Sequence, residues 1–163
     1  MKILYFGGQK SGKSSLAEKK ALELFTLKPY YIATYNNGYN DTEMNLRVEK
    51  HRLSRKDDFI TIEETHHLSP VIKPHNTYLI DCISMWLLNR LEDDEETIIE
   101  EIEKICAINA TLIFVLNDVT NGVIPNDPIS RRFVDLSGII GQKLASLCDE
   151  VYEVKLGLGN RLK

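Results

Sequence analysis

The stretch KILYFGGQKSGKS, Lys2 to Ser14, decides the fold. Its apolar opening, Lys2 to Phe6, predicts a buried strand, and the run Gly7-Gly8-Gln9-Lys10-Ser11-Gly12-Lys13-Ser14 predicts a tight loop that feeds a helix. The chemistry requires these residue types at this spacing. Glycines let backbone N–H groups crowd around phosphate oxygens, Lys13 adds a mobile cation, and the Ser14 hydroxyl is placed to ligate Mg²⁺. The helix after Ser14 points its positive end at the same anion. The bare string recurs by chance, but here the strand before it and the helix after it are both present. The reading is therefore a nucleoside triphosphate site at the first turn, cradled by Gly7 to Ser14.

Working outward, short β-branched or aromatic runs alternate with helical patterns. Strands are expected at Lys2 to Phe6, Tyr30 to Ala33, Phe59 to Ile62, Thr77 to Asp81, Thr111 to Leu116 and Val151 to Lys155. Helices are expected at Ser14 to Thr26, Asp41 to Leu53, Ile83 to Leu91, Glu95 to Ala107 and Ile129 to Asp149. This alternation implies an α/β fold, a mainly parallel sheet flanked by helices. Pro29, Pro70, Pro74, Pro125 and Pro128 are all expected between elements, where a missing N–H does no harm. No repeat or low-complexity block interrupts the pattern.

The 163 residues, 43% hydrophobic and 27% charged, suit one phosphate-loop domain, residues 1–163, with a real core. A net charge of −4 argues against a general nucleic-acid or anionic-membrane binder, which needs a basic face to displace counterions. Cys82, Cys106 and Cys148 are an odd set without CxxC spacing, and the first residues run straight into a strand. The expectation is a reduced, cytoplasmic protein. No apolar run approaches the ~20 residues of a membrane-spanning helix.

Ligands of such sheets gather at the carboxyl ends of the strands. Asp81 ends the strand Thr77 to Asp81 and is placed to hold Mg²⁺ opposite Ser14, directly or through water; Asp118, just past Leu116, competes for the role. The plain alternative makes Asp81 a capping residue for the Ile83 helix.

Glu43, Arg47, His51 and Arg55 recur at steps of four, so the first three share one face of the Asp41 helix. By spacing alone this is an ordinary solvated, salt-bridged face. As a ligand face, it offers Arg47, Arg52 and Arg55 to phosphate oxygens, and His51 as a neutral imidazole that attacks phosphorus to form a phosphoramidate. His66 and His67 are adjacent and lack further ligands, and the acidic run Glu92 to Glu96 reads as a solvated loop favouring the next helix start. Asp135-Leu136-Ser137-Gly138 spells a GTPase switch pattern but falls inside a helical pattern. Asn117-Asp118-Val119-Thr120 lacks the lysine and final aspartate of a guanine-reading loop.

Five segments, in order, resemble the family of bifunctional adenosylcobinamide kinases and adenosylcobinamide-phosphate guanylyltransferases of cobalamin assembly. They are GGQKSGKSSLAE, YIATYNNGYNDTEMNLRVEKHRLSR, LIDCISMWLLN, NDVTNGVIPNDPISRRFVDLSGIIGQKLA and the closing GLGNRLK. The resemblance implies a RecA-like P-loop domain that assembles as a homotrimer. It implies that His51 is the guanylylated nucleophile, and that Thr34, Arg52, Arg55, Glu63 and Asp81 help bind GTP beside Gly7 to Ser14. It also implies two reactions: phosphorylation of a small-molecule corrinoid, adenosylcobinamide, by ATP or GTP, then transfer of GMP from GTP to that phosphate. The chain departs from the family pattern at Lys56, Phe59, Asp118, Thr120 and Gly141, all outside the phosphate loop and His51. Two other readings of the phosphate loop stand beside this one: a plain small-molecule kinase using Gly7 to Ser14 and Asp81, and a nucleotide-binding regulatory protein.

Overall fold

In the computed structural model, residues 1–24, 27–36 and 58–163 are described. The strands are β1 (Lys2–Gly7), β2 (Tyr30–Ala33), β3 (Ile60–Glu63), β4 (Thr77–Asp81), β5 (Thr111–Asn117), β6 (Glu150–Lys155) and β7 (Leu158–Arg161). The helices are α1 (Lys13–Leu24), α2 (Ile83–Asn89), α3 (Glu95–Ala107) and α4 (Pro128–Leu147). Among the described residues seven strands join one sheet in the order β3-β2-β4-β5-β1-β6-β7, parallel throughout except for β7, which runs antiparallel to β6. This is the RecA-like phosphate-loop arrangement that the sequence implied.

Side-chain alternation along each strand divides the core into two faces. Leu4, Ile32, Tyr78, Ile80, Leu112, Phe114 and Leu116 point to one face, where Trp86 and Leu87 of α2, Ile98, Ile102 and Ile105 of α3, and Leu136, Ile140 and Leu144 of α4 cover them. Their strand neighbours Ile3, Tyr5, Tyr31, Leu79, Ile113 and Val115 point the other way, onto Ala17 and Ala21 of α1. The two alanines, four residues apart, let α1 lie close on β1, β4 and β5. Strands buried on both faces need unbroken apolar runs, which Tyr78-Leu79-Ile80 and Leu112 to Leu116 supply.

The expected elements recur with shifted ends. Helix α2 stops at Asn89, two residues short of Leu91, and α4 ends at Leu147, not Asp149. Pro128 is not between elements: it is the first residue of α4, where a missing N–H is one of the helix's unpaired donors anyway. Asp127 caps that helix, its carboxylate accepting the Ser130 N–H at 2.8 Å. Asp94 is the N-cap of α3, and Glu95 and Glu96 fill its first turn, the favourable end for acidic side chains. Asp135 to Gly138 lies within α4, with Leu136 and Ser137 buried. The expected Asp41 helix falls outside the described residues.

Strand β7 was not foreseen. It closes a hairpin in which Lys155 pairs with Leu158, and the two linking residues, Leu156 and Gly157, have φ of 54° and 79°. Positive φ at both positions is the turn whose twist matches that of the flanking strands.

Candidate active site at the carboxyl ends of the strands

The register aligns the strand ends. Ala33 pairs with both Glu63 and Asp81, Asp81 pairs with Val115, and Gly7 pairs with Asn117. Each strand alternates, so Gly7 shares a face with Ile3 and Tyr5, Asp81 with Leu79, and Asn117 with Ile113 and Val115, all on the α1 side. The terminal residues Gly7, Ala33, Asp81 and Asn117 thus face the helix that the phosphate loop feeds. By strand order Asp81 stands two strands from Gly7, about 10 Å, and Glu63 four strands away, about 19 Å.

The loop is built by close backbone approach. A Cβ on Gly7 would lie 2.2 Å from the Val154 carbonyl oxygen of β6, so no larger residue fits there without moving the sheet. Gly12 has φ +96°, and a Cβ there would sit 3.0 Å from the Gly157 Cα. Lys10, at φ 56°, carries the left-handed turn of the loop tip. The Ser11 N–H donates to the Gly8 carbonyl at 3.2 Å, and the Leu16 N–H to the Gly12 carbonyl at 3.1 Å, which closes the loop and opens α1. Gly8, Gln9 and Lys10 are exposed, whereas Lys13 is buried, and its Nζ donates to the Gly8 carbonyl at 3.1 Å across the loop. Ser14 is half-buried in the first turn of α1.

Opposite the loop, Tyr31 Oη donates to Asp81 Oδ2 at 2.9 Å. The N-cap of α2 is Cys82, with no side-chain capping bond, so the capping role proposed as the alternative for Asp81 is not what the structure shows. The buried Thr34 hydroxyl donates to the Cys82 carbonyl at 2.7 Å and accepts the Cys82 N–H at 3.0 Å. Asn89 Nδ2 then ties the Thr34 carbonyl, at 2.8 Å, to the Thr65 carbonyl, at 3.0 Å. One threonine and one asparagine thereby clamp the ends of β2, β3 and β4. Burial first, and then the Asp81 carboxylate, push the Cys82 thiol up to about 12, while the Lys13 ammonium pulls it part of the way back.

The two candidate aspartates differ in engagement. Asp118 accepts from the Thr120 N–H and hydroxyl, at 3.1 and 2.8 Å, and from Asn121 Nδ2, so it organises its own turn. Its N–H donates to the Gly7 carbonyl at 2.9 Å, which anchors that turn to the phosphate loop. The set Ser14 hydroxyl plus Asp81 carboxylate offers hard oxygen donors beside a phosphate cradle, and it fits Mg²⁺, which takes one or two protein ligands and fills the rest with phosphates and water. Arg47, His51, Arg52 and Arg55 lie outside the described residues. Tyr31, Asn89 and Gly157 were missed in the sequence, since each acts through a partner distant in the chain.

A family profile described as "CobU: Cobinamide kinase / cobinamide phosphate guanyltransferase" matches residues 3–162. The chain belongs to this family. It is 34% identical to the bifunctional adenosylcobalamin biosynthesis protein CobP of Pseudomonas aeruginosa, across 100% of this chain and 98% of that one. It is 32% identical to the bifunctional adenosylcobalamin biosynthesis protein CobU of Escherichia coli, over the whole of both chains. Among solved structures, it superposes on the flagellar accessory protein FlaH from Methanocaldococcus jannaschii with a TM-score of 0.54 at 14% identity, covering 99% of this chain and 77% of that one. That likeness speaks to the fold alone. Family membership makes the chain a bifunctional cobinamide kinase and cobinamide-phosphate guanylyltransferase. Among the described residues, no helix is long and apolar enough to cross a membrane.

Proposed function

We propose that the protein phosphorylates adenosylcobinamide with ATP or GTP, and then moves GMP from GTP to the new phosphate by way of His51. The observation that carries the reading is the shared α1 face of the phosphate loop and Asp81, in a chain of the cobinamide kinase family. In the first reaction the corrinoid hydroxyl oxygen attacks the γ-phosphorus, and the nucleoside diphosphate leaves. Gly7 to Ser14 hold the triphosphate by backbone N–H groups, and Lys13, already over the loop, follows the charge that develops on it. In the second, an imidazole nitrogen of His51 attacks the α-phosphorus of GTP and pyrophosphate leaves. An oxygen of the corrinoid phosphate then attacks the same phosphorus, the N–P bond breaks, and adenosylcobinamide-GDP forms.

A neutral imidazole is required for that attack, and an ordinary histidine, with a pKa of about 6.5, is mostly neutral at pH 7. Arg52, Arg55, Thr34 and Glu63 serve GTP binding, and Ser14 and Asp81 hold Mg²⁺, which when bound supplies charge neutralisation on the triphosphate. The protein works as one phosphate-loop domain in a cytoplasmic homotrimer. Incubation with GTP labelled at the α-phosphorus tests the relay. The expected result is acid-labile, base-stable label on the protein that is absent from His51→Ala. Label that survives this substitution puts the nucleotide on another residue, and no label at all beside intact γ-phosphate transfer removes the covalent intermediate; either result overturns the His51 relay.

A further inference from the structure

Asp81 does not stand alone at the end of β4. Tyr31, on the neighbouring strand β2, lies two register positions back along the sheet: Tyr31 pairs with Leu79 while Ala33 pairs with Asp81. Tyr31, Leu79 and Asp81 share the α1 face, so the phenol runs diagonally along that face and its hydroxyl donates to Asp81 Oδ2 at 2.9 Å. Tyr31 as a whole is only 6% exposed. Phe59 meets it edge-on, with centroids 6.0 Å apart and planes at 79°, a geometry that holds an aromatic ring in one orientation. A carboxylate is planar, so a hydroxyl fixed on one oxygen sets the direction of the other.

We propose that Tyr31 is a positioning residue for metal-bound nucleotide: its buried hydroxyl holds one oxygen of Asp81 so that the other is aimed at the Mg²⁺ carried by the triphosphate. The inference rests on the reading of Asp81 as a metal ligand. Residues hydrogen-bonded to a ligating carboxylate fix its orientation, and their loss typically weakens metal binding by about 10-fold or more. No covalent step is involved. The hydroxyl orients the carboxylate and keeps its proton.

The test uses Mn²⁺ as the metal probe, with the free ion measured by electron paramagnetic resonance during titration of the protein–GTP complex. Tyr31→Phe keeps the ring against Phe59 and removes only the hydroxyl; Asp81→Asn is run beside it. The expected result for Tyr31→Phe is an Mn²⁺ dissociation constant raised about 10-fold, an unchanged thermal midpoint, and a kcat that returns to the wild-type value at high Mg²⁺ while KM at low Mg²⁺ is raised. A purely structural role for the tyrosine lowers the thermal midpoint and is not rescued by metal. Weakened Mn²⁺ binding in Asp81→Asn with normal binding in Tyr31→Phe overturns the positioning role alone. Normal Mn²⁺ binding in both variants overturns the metal-ligand reading of Asp81 beneath it.

Discussion

The Gly157 N–H donates to the Ser11 carbonyl at 2.8 Å, so the turn of the last hairpin is bonded directly to the phosphate loop at the other end of the chain. Three further approaches make the same junction: Gly7 against the Val154 carbonyl, Gly12 against the Gly157 Cα, and Gly159 against Leu16, where a Cβ would meet the side chain at 3.4 Å. The loop therefore takes its shape from β6 and β7 as much as from its own glycines.

That junction separates two substitutions. At Gly157 an added Cβ meets open space, so Gly157→Ala carries only the strain of φ +79°, about 1–2 kcal/mol. At Gly12 the strain of φ +96° is joined by the contact with Gly157, which is backbone and cannot step aside. Gly157→Ala is expected to lower the urea midpoint modestly and keep nucleotide binding. Gly12→Ala should cost more stability and lose at least ten-fold in GTP affinity by equilibrium titration. Equal effects from the two would mean that the loop is not braced by the hairpin.

Thr34 offers a second test. Its hydroxyl is wholly buried and bonds both the N–H and the carbonyl of Cys82. Thr34→Val keeps the shape but leaves these two backbone groups without that partner, at a cost of about 1–3 kcal/mol. Chemical denaturation should show this loss. If the clamp matters for the site, KM for nucleotide should rise as well, because the Asp81–Cys82 segment would no longer be fixed to the end of β2.

Much of this was legible in the sequence, and the reasons for the exceptions are physical. The phosphate loop, the parallel sheet and helix α3 were readable because each is local: a spacing, a run, a period. Strand β7 was not, because Leu158-Gly159-Asn160-Arg161 is exposed along its length and has no apolar alternation; it is a strand only because β6 lends it a pairing edge. Pro128 reads from its neighbours Asn126 and Asp127 as a loop residue, although proline is at home at the first residue of a helix, where the structure has it. Asp81 ends β4 as its strand pattern predicts, but its partner Tyr31 lies 50 residues away, and only the register of β2 against β4 brings the two together. The polar stripe around His51 lies outside the described residues, so sequence alone speaks for it.

The Tyr152 hydroxyl donates to Glu150 Oε2 at 2.8 Å, and this bond above all, joined by the charges of Lys20 and Arg161, holds the Glu150 carboxyl below its ordinary 4.5. A depressed carboxyl stabilises the fold above its unfolded value and loses that contribution as pH falls through the lower folded one. Glu150→Gln should therefore be less stable than wild type at pH 7, with the two denaturation curves converging below about pH 4.5. A difference that persists unchanged at pH 3 would point to packing in place of charge.

The three thiols give the last prediction. Burial is the leading cause at each: Cys82 and Cys148 are pushed up to about 12, and Cys106 to about 11. The thiolate is the reactive form, so at pH 8 almost none is present in the folded protein, even at Cys82 and Cys106, which are not fully shielded. Because the folded values lie above the ordinary 9.0, stability should be intact below pH 9 and fall as pH rises beyond it, when the unfolded chain loses protons that the folded one retains. With an aromatic disulfide reagent at pH 8, the folded protein should react slowly and the urea-unfolded chain should titrate all three cysteines at once. Rapid reaction of one thiol in the folded protein, traced by mass spectrometry to Cys82, would mean that Cys82 is held as a thiolate, against its raised pKa.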